Sequence, residues 1–145
     1  GKRKQKIGQK TNIQRLRKNL TFREVSRYIY IRFMLSRSRK AKGRVLQNKV
    51  REILLESFEE LEPDDIKTAV MGESGEDIHM SPAARRLIPL SIECKNQESL
   101  NIWKSHEQAE ENCGDHIPCV VFKRNRSKTY ISLEFDKFIE ILKGT

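Results

Sequence analysis

The 145-residue sequence predicts a single α/β domain preceded by a basic helical extension. Residues 87–95 alternate between apolar and polar side chains, which is the pattern of a half-buried strand. Residues 117–122 form a continuous apolar run, which indicates a strand covered on both faces. Apolar residues recur at helical spacing over residues 46–58, which indicates a helix packed on such a sheet. A chain of this length buries one modest core, so we do not expect two full domains.

Positive charge is concentrated near the N-terminus. Of the 29 Lys and Arg residues, 18 lie in residues 1–51, where Glu24 is the only acidic residue. Such a segment suits a polyanion, because each neutralised phosphate releases condensed counterions. We therefore expect binding to nucleic acid; the alternative is a basic tail that only aids solubility.

The basic extension is predicted to contain two helices. Residues 1–10 are rich in lysine and lack an apolar pattern, so we expect disorder without DNA. Residues 12–20 have the spacing of a short basic helix. Thr21 forms a capping box with Glu24 and begins a second helix that ends near Arg37. Its apolar stripe needs a partner surface, which the core, a second subunit or DNA would supply.

A charged connector, residues 36–42, is predicted to lead to Gly43, and the first core helix is predicted to follow it. Acidic residues and Pro63 end that helix. The helix after the central strand is expected to bury Trp103, and Asp136 to cap the last helix. The remaining predicted elements are, in order, strands at 66–71 and 77–80, a helical turn at 81–86, a strand at 87–95, a helix at 99–112, strands at 117–122 and 129–135, and a helix at 137–142.

Cysteine usage and hydropathy exclude several classes of protein. The three cysteines have no Cys-x-x-Cys spacing, and no secretory signal precedes them, which indicates a reduced intracellular setting. The longest apolar run contains Arg32 and is too short to span a membrane. The three histidines lack zinc-site spacing. His79 has one point of interest, because it shares a strand face with Asp77.

Three residues form a candidate site for phosphodiester hydrolysis. Glu93 and Lys95 are predicted to share one face of the strand at 87–95, and we expect a hairpin-like return to set the Asp77 carboxylate beside Glu93. Carboxylate oxygens, with the main-chain carbonyl of Cys94, are the ligands that Mg²⁺ prefers, and a nearby lysine is a donor to water or phosphate. The alternative is a solvated strand face with one ion pair.

The order Gly-x-x-Gly-x-Asp, followed by Glu-x-Lys on an apolar strand, resembles the PD-(D/E)XK nuclease superfamily, and within it Holliday-junction resolvases and small phage-type endonucleases. The resemblance covers roughly residues 42–142 and implies a restriction-endonuclease-like α-β-β-β-α-β core, a mixed central sheet flanked by helices. It makes residues 1–41 a basic arm and residues 42–145 the nuclease core. It also implies a Mg²⁺-dependent endodeoxyribonuclease in which Mn²⁺ can replace Mg²⁺. We expect a homodimer located in the cytoplasm, and a phage gene expressed in a bacterial host is one source that fits. Asp77, Glu93 and the Cys94 carbonyl would hold the metal, and Lys95 would assist the attacking water.

Some positions depart from the superfamily pattern. Glu76 stands where the proline is expected, and the pair Pro63-Asp64 is a competing candidate. Resolvases of this superfamily carry a helix glutamate a few residues after a Lys-Gly, and the position reached from Lys42-Gly43 is Gln47. Glu52 and Glu56, one and two turns further along the helix, are the alternatives. On the helix after Glu-x-Lys, Gln108 or Lys104 would point back at the site.

Eleven cations are candidate DNA contacts: Arg37, Arg39, Lys40, Lys42, Arg44, Arg85, Arg86, Lys123, Arg124, Arg126 and Lys128. Cleavage of branched DNA is the leading prediction. Sequence-specific cutting of the homing or restriction kind competes with it, as does a non-catalytic DNA-binding protein. A basic RNA-associated protein is weaker, because base-stacking aromatic residues are not evident.

Overall fold

A computed structural model of the chain describes residues 20–70 and 72–144. The chain divides into two compact units, Gly1–Ser38 and Arg39–Thr145. The division lies three residues before the predicted boundary after residue 41. The predictions for residues 1–10, and for a helix over 12–20 apart from Leu20, fall outside the described residues.

Helix α1 spans Phe22–Ser57 and contains 36 residues. Its capping box is confirmed, since the Thr21 N–H donates to Glu24 Oε2 at 2.7 Å and the Glu24 N–H donates to Thr21 Oγ1 at 3.2 Å. The predicted helix end near Arg37 and the connector at residues 36–42 are wrong. That segment contains no proline, and its Arg, Lys and Ala residues have high helix propensity. One glycine, Gly43, costs about 1 kcal/mol relative to alanine, which does not end a helix.

The apolar stripe in the first unit stays exposed within the described residues. Phe22, Ile29 and Phe33 all present most of their surface to solvent. The described part of this unit therefore contains no surface that covers the stripe.

In the second unit, the last turns of α1 join the core. Leu46 and Val50 are buried. Arg51 Nε donates to the Ile66 carbonyl at 2.6 Å, and one Arg51 terminal nitrogen donates to the Pro63 carbonyl at 2.7 Å. These bonds fix the helix against the 3₁₀ turn Pro63–Asp65. Strand β1 (Ile66–Thr68) follows and pairs antiparallel with β2 (Ile78–Met80).

Helix α2 (Pro82–Leu87) confirms the predicted helical turn, with Ser81 Oγ accepting from the Ala84 N–H at 3.1 Å. The remaining elements are β3 (Leu90–Asn96), α3 (Ile102–Asn112), β4 (Ile117–Lys123), β5 (Tyr130–Leu133) and α4 (Phe135–Leu142). Strand β3 pairs parallel with β4, and β4 pairs antiparallel with β5. The α/β class is confirmed.

Two local predictions are wrong. Trp103 is 80% exposed, because the buried face of α3 consists of Ser105 and Ala109. Asp136 lies inside the first turn of α4, whose N-cap is Glu134, so Asp136 does not cap the helix. Sequence spacing located both helices but not the rotation of α3 or the first residue of α4.

The two faces of the three-stranded sheet differ. Ile92 and Cys94 of β3 and Cys119 of β4 belong to the main apolar core, which also receives Leu46 from α1. Glu93 and Lys95 lie on the opposite face. No helix among the described residues is long and apolar enough to cross a membrane.

Candidate functional site

Asp77 lies at the edge of β3 that does not pair with β4. Its N–H donates to the Ile92 carbonyl at 3.2 Å, and its Oδ2 accepts from the Cys94 N–H at 2.7 Å. The N–H and C=O of one strand residue point towards the same edge, so the Cys94 carbonyl faces the edge at which Asp77 lies. A carboxylate and a main-chain carbonyl oxygen therefore come together at this edge.

Glu93 and Lys95 lie on the same strand, one residue either side of Cys94. Glu93 is only 9% exposed. Lys95 Nζ lies 3.5 Å from Glu93 Oε1, and both side chains are largely buried. The structure thus brings together the Asp, Glu and Lys that the sequence predicts.

The two carboxylates of the site repel each other. Burial raises the pKa of Asp77, opposed by the Cys94 N–H donated to its carboxylate and, to a smaller extent, by the electrostatic influence of Lys95 and His79. Burial also raises the pKa of Glu93, and the negative charge of Asp77 raises it further, opposed by Lys95. A cation between the carboxylates would relieve both costs.

The donor set fits a hard divalent cation. Mg²⁺ is usually bound by one or two carboxylates and keeps several of its waters. Asp77, Glu93 and the Cys94 carbonyl supply oxygens of this kind. Within residues 20–70 and 72–144, no three His, Cys, Asp or Glu side chains converge as a metal-binding group. Such a cation would therefore depend on two carboxylates, the carbonyl and retained water.

Gln47 and Asp77 line one cleft of about 560 Å³. Gln47 is half-buried, whereas Glu52 is exposed and does not line the cleft. The other lining residues are Lys40, Gly43, Arg44, Ala69, Val70, Gly72 and Glu73. Of the predicted helix candidates, Gln47 shares this cleft with Asp77.

Lys95 lines a separate cleft of about 250 Å³, together with Lys104 and Gln108 of α3. These are the two residues that the sequence predicts to point back at the site from the helix after Glu-x-Lys. Asn101, which also lines this cleft, caps α3 by accepting from the Lys104 N–H at 3.1 Å.

No family model, no curated protein and no solved structure matches the chain. The resemblance to the PD-(D/E)XK superfamily therefore stays a prediction, and the function depends on the geometry of the site.

Arg85 is committed to contacts inside the protein. It donates to Glu76 Oε1 and, at 2.7 Å, to the Leu90 carbonyl, while Ser91 Oγ donates to Glu76 Oε2 at 2.9 Å. The Arg85 and Glu76 side chains are 15% and 18% exposed. Its neighbour Arg86 is exposed. Of this predicted pair of phosphate contacts, the structure leaves Arg86 accessible and holds Arg85 in an ion pair.

The Glu76–Arg85–Ser91 network is the part of the site that sequence reasoning missed. It holds the segment just before Asp77 against the start of β3. The substitution of Glu76 for the expected proline was the available signal, since it places a carboxylate where the resemblance expects an apolar ring.

The other predicted cations lie in three places in the second unit and in the first unit. Lys40 and Arg44 line the Asp77 cleft, while Arg39 and Lys42 line a cleft of about 400 Å³ at the end of β3. Arg37 is exposed in the first unit. The cations of the β4–β5 turn are Lys123, half-buried, and Arg124, Arg126 and Lys128, all exposed.

Two further residues bear on the choice of ligands. Asp64, the competing candidate, is exposed in the turn Pro63–Asp65, whereas Asp77 is the carboxylate bonded to β3. His79 Nε2 is buried without a hydrogen-bond partner among the described residues and lies 3.8 Å from Glu73 Oε2. The geometry therefore favours Asp77 over Asp64.

Proposed function

We propose that this protein is a Mg²⁺-dependent endodeoxyribonuclease whose site is formed by Asp77, Glu93 and Lys95. One observation carries the proposal: the Asp77 carboxylate accepts a hydrogen bond of 2.7 Å from the N–H of Cys94. Cys94 stands between Glu93 and Lys95 in the strand, and Lys95 Nζ lies 3.5 Å from Glu93 Oε1. Two carboxylates and one ammonium are the groups that metal-assisted phosphodiester hydrolysis needs.

Each residue has a role that follows from its position. Asp77, Glu93 and the Cys94 carbonyl would hold Mg²⁺ or Mn²⁺, which when bound supplies charge neutralisation and an activated water. Lys95, whose Nζ lies 3.5 Å from Glu93 Oε1, would donate to that water or to a phosphate oxygen. Gln47 would orient a ligand through its amide, and Gln108 would support Lys95 from α3.

The substrate that we propose is branched DNA. Cations lie beside the Asp77 cleft, on Lys40 and Arg44, and on the β4–β5 turn, so phosphates would be bound on more than one side of the site. The exposed stripe of α1, with Phe22, Ile29 and Phe33, is the face that we propose for homodimer formation. Paired subunits would present two sites to two strands. Sequence-specific cutting would use the same residues.

A non-catalytic DNA-binding protein is the second candidate. It is favoured by the Lys95–Glu93 ion pair, which satisfies both charges without a metal, and by the neutral amide at Gln47. In this alternative the cations bind DNA, and the acidic pair only balances Lys95.

Cleavage assays distinguish the two functions. The protein is incubated with plain duplex, four-way junction, flap and single-stranded DNA, with and without Mg²⁺. We expect Mg²⁺-dependent cleavage that Asp77→Ala, Glu93→Ala and Lys95→Ala each lower by about a hundredfold or more, with folding and DNA binding retained. Asp64→Ala is the matched control and should stay within a few-fold of the wild type. Undiminished cleavage by Glu93→Ala would refute the proposal.

A further inference from the structure

One row of side chains crosses the sheet from Lys95. In the strand register Lys95 pairs with Phe122, and Phe122 pairs with Tyr130. Register partners on adjacent strands project from the same face of a sheet. Tyr130 therefore lies two strand spacings from Lys95, or roughly 10 Å. Two aromatic rings extend from the proposed catalytic lysine across one face.

The two rings line an open cleft of about 410 Å³. The ring centroids of Phe122 and Tyr130 are 6.0 Å apart, with planes inclined by 31°. Tyr130 is 54% exposed, so one face of this pair is accessible. Gln97 and Leu100 line both this cleft and the Lys95 cleft. The aromatic cleft therefore borders the Lys95 cleft.

The rim of the aromatic cleft is cationic. Lys123 and Arg124 line it together with Ser127. Glu98 also lines it, but its Oε1 accepts from the Asn125 N–H at 2.8 Å. That carboxylate therefore holds the β4–β5 turn, which brings Lys123 and Arg124 to the cleft.

We propose that the Phe122–Tyr130 cleft binds an unpaired nucleobase of the DNA strand that reaches Lys95. An exposed aromatic ring flanked by cations is the arrangement that stacks a base and neutralises its phosphates. The proposal rests on the proposed nuclease function and narrows its substrate. The unpaired base would lie within about three nucleotides of the cut, at a helical rise of 3.4 Å per nucleotide. A fully paired duplex keeps its bases inside the stack and cannot fill the cleft.

The test measures binding in EDTA, so that no cleavage occurs. The probe is a short single-stranded DNA containing 2-aminopurine, whose fluorescence is quenched on stacking, and the matched probe is its paired duplex. Tyr130→Leu keeps apolar bulk in β5 but removes the ring. We expect it to abolish the quench and weaken single-strand affinity by about tenfold, with duplex affinity unchanged. Tyr130→Phe should retain both the quench and the affinity.

Trp103→Ala is the matched control. Trp103 lies on α3, is strongly exposed like Tyr130, and does not line this cleft. This variant should leave both readouts unchanged. Retained quenching and affinity in Tyr130→Leu, or an equal loss in Trp103→Ala, would overturn the inference. If the quench depends on Tyr130 but the wild type never cleaves DNA, the stacking site stands and the nuclease function fails. If the wild type cleaves and Tyr130→Leu binds normally, only the stacking site fails.

Discussion

Replacing Arg85 tests whether this arginine supports the fold or binds DNA. Arg85→Ala leaves the Glu76 carboxylate without its ion pair in a largely buried position and frees the Leu90 carbonyl. Removing one partner of a buried pair costs about 3–5 kcal/mol, and a lost hydrogen bond costs about 1 kcal/mol. Because both side chains keep some solvent contact, we expect a total at or just below the lower end of this sum, about 3–4 kcal/mol.

Urea unfolding in EDTA measures this loss of unfolding free energy. The melting temperature should fall by roughly 10–20 °C. The double variant Glu76→Gln with Arg85→Met leaves no unpaired charge. It should lose less unfolding free energy than Arg85→Ala alone. Arg86→Ala is the matched control and should change the free energy of unfolding by less than about 0.5 kcal/mol.

The salt dependence of DNA binding should change in Arg86→Ala and not in Arg85→Ala, which is the reverse of the effect on stability. If Arg86 contacts a phosphate of duplex DNA, Arg86→Ala should make the slope of log affinity against log salt shallower by about 0.9. Arg85→Ala should leave that slope unchanged. A loss of under 1 kcal/mol in Arg85→Ala, together with a salt slope that falls as that of Arg86→Ala does, would show that Arg85 binds DNA and does not support the fold.

Three other predictions concern the metal site and the arm. Gln47→Glu adds a carboxylate to the Asp77 cleft and should keep or improve cleavage at low Mg²⁺, measured in a Mg²⁺ titration. A complete loss of cleavage by a variant that still folds would show that Gln47 packs against the protein or faces DNA. Because the folded-state pKa values of Asp77 and Glu93 are raised, the stability that these two carboxyl groups contribute to the metal-free protein should fall as pH rises from their ordinary values of 3.8 and 4.5 through the raised ones. Asp77→Asn should flatten that fall in urea unfolding over a pH series, and an unchanged slope would contradict the assignment. Deleting residues 1–10 should make the salt dependence of DNA affinity shallower, and deleting through Arg37 should in addition alter the sedimenting mass or solubility; no change in either would leave the arm without a role in binding or self-association.

Strand alternation was sufficient to predict which side chains of β3 share a face. It placed Glu93 and Lys95 together, and the glycine turn before Asp77 indicated the return that brings this carboxylate to β3. Local patterns of this kind depend on backbone periodicity alone, so they can be read without knowing the fold.

Features that depend on tertiary partners were not predictable in the same way. Arg85 and Arg86 are adjacent and chemically identical, and only the position of Glu76 distinguishes the buried one. Trp103 lies at a helical position that suits a core, but α3 is rotated to bury small residues instead. The continuity of α1 through residues 36–42 was missed because a run of charges reads as a connector, although these residues favour helix.

The side chain and the main chain of Cys94 have separate roles. Its thiol is buried in the apolar core, where burial raises its pKa far above the ordinary value, so it is not a reactive thiolate. What it offers the site is its main-chain N–H and C=O, which every residue except proline possesses. If the proposed function holds, a series of exchanges at this position among small apolar residues should leave the site intact, whereas changes at positions 77, 93 and 95 should not. A Cys94→Val protein would be the simplest member of such a series to make.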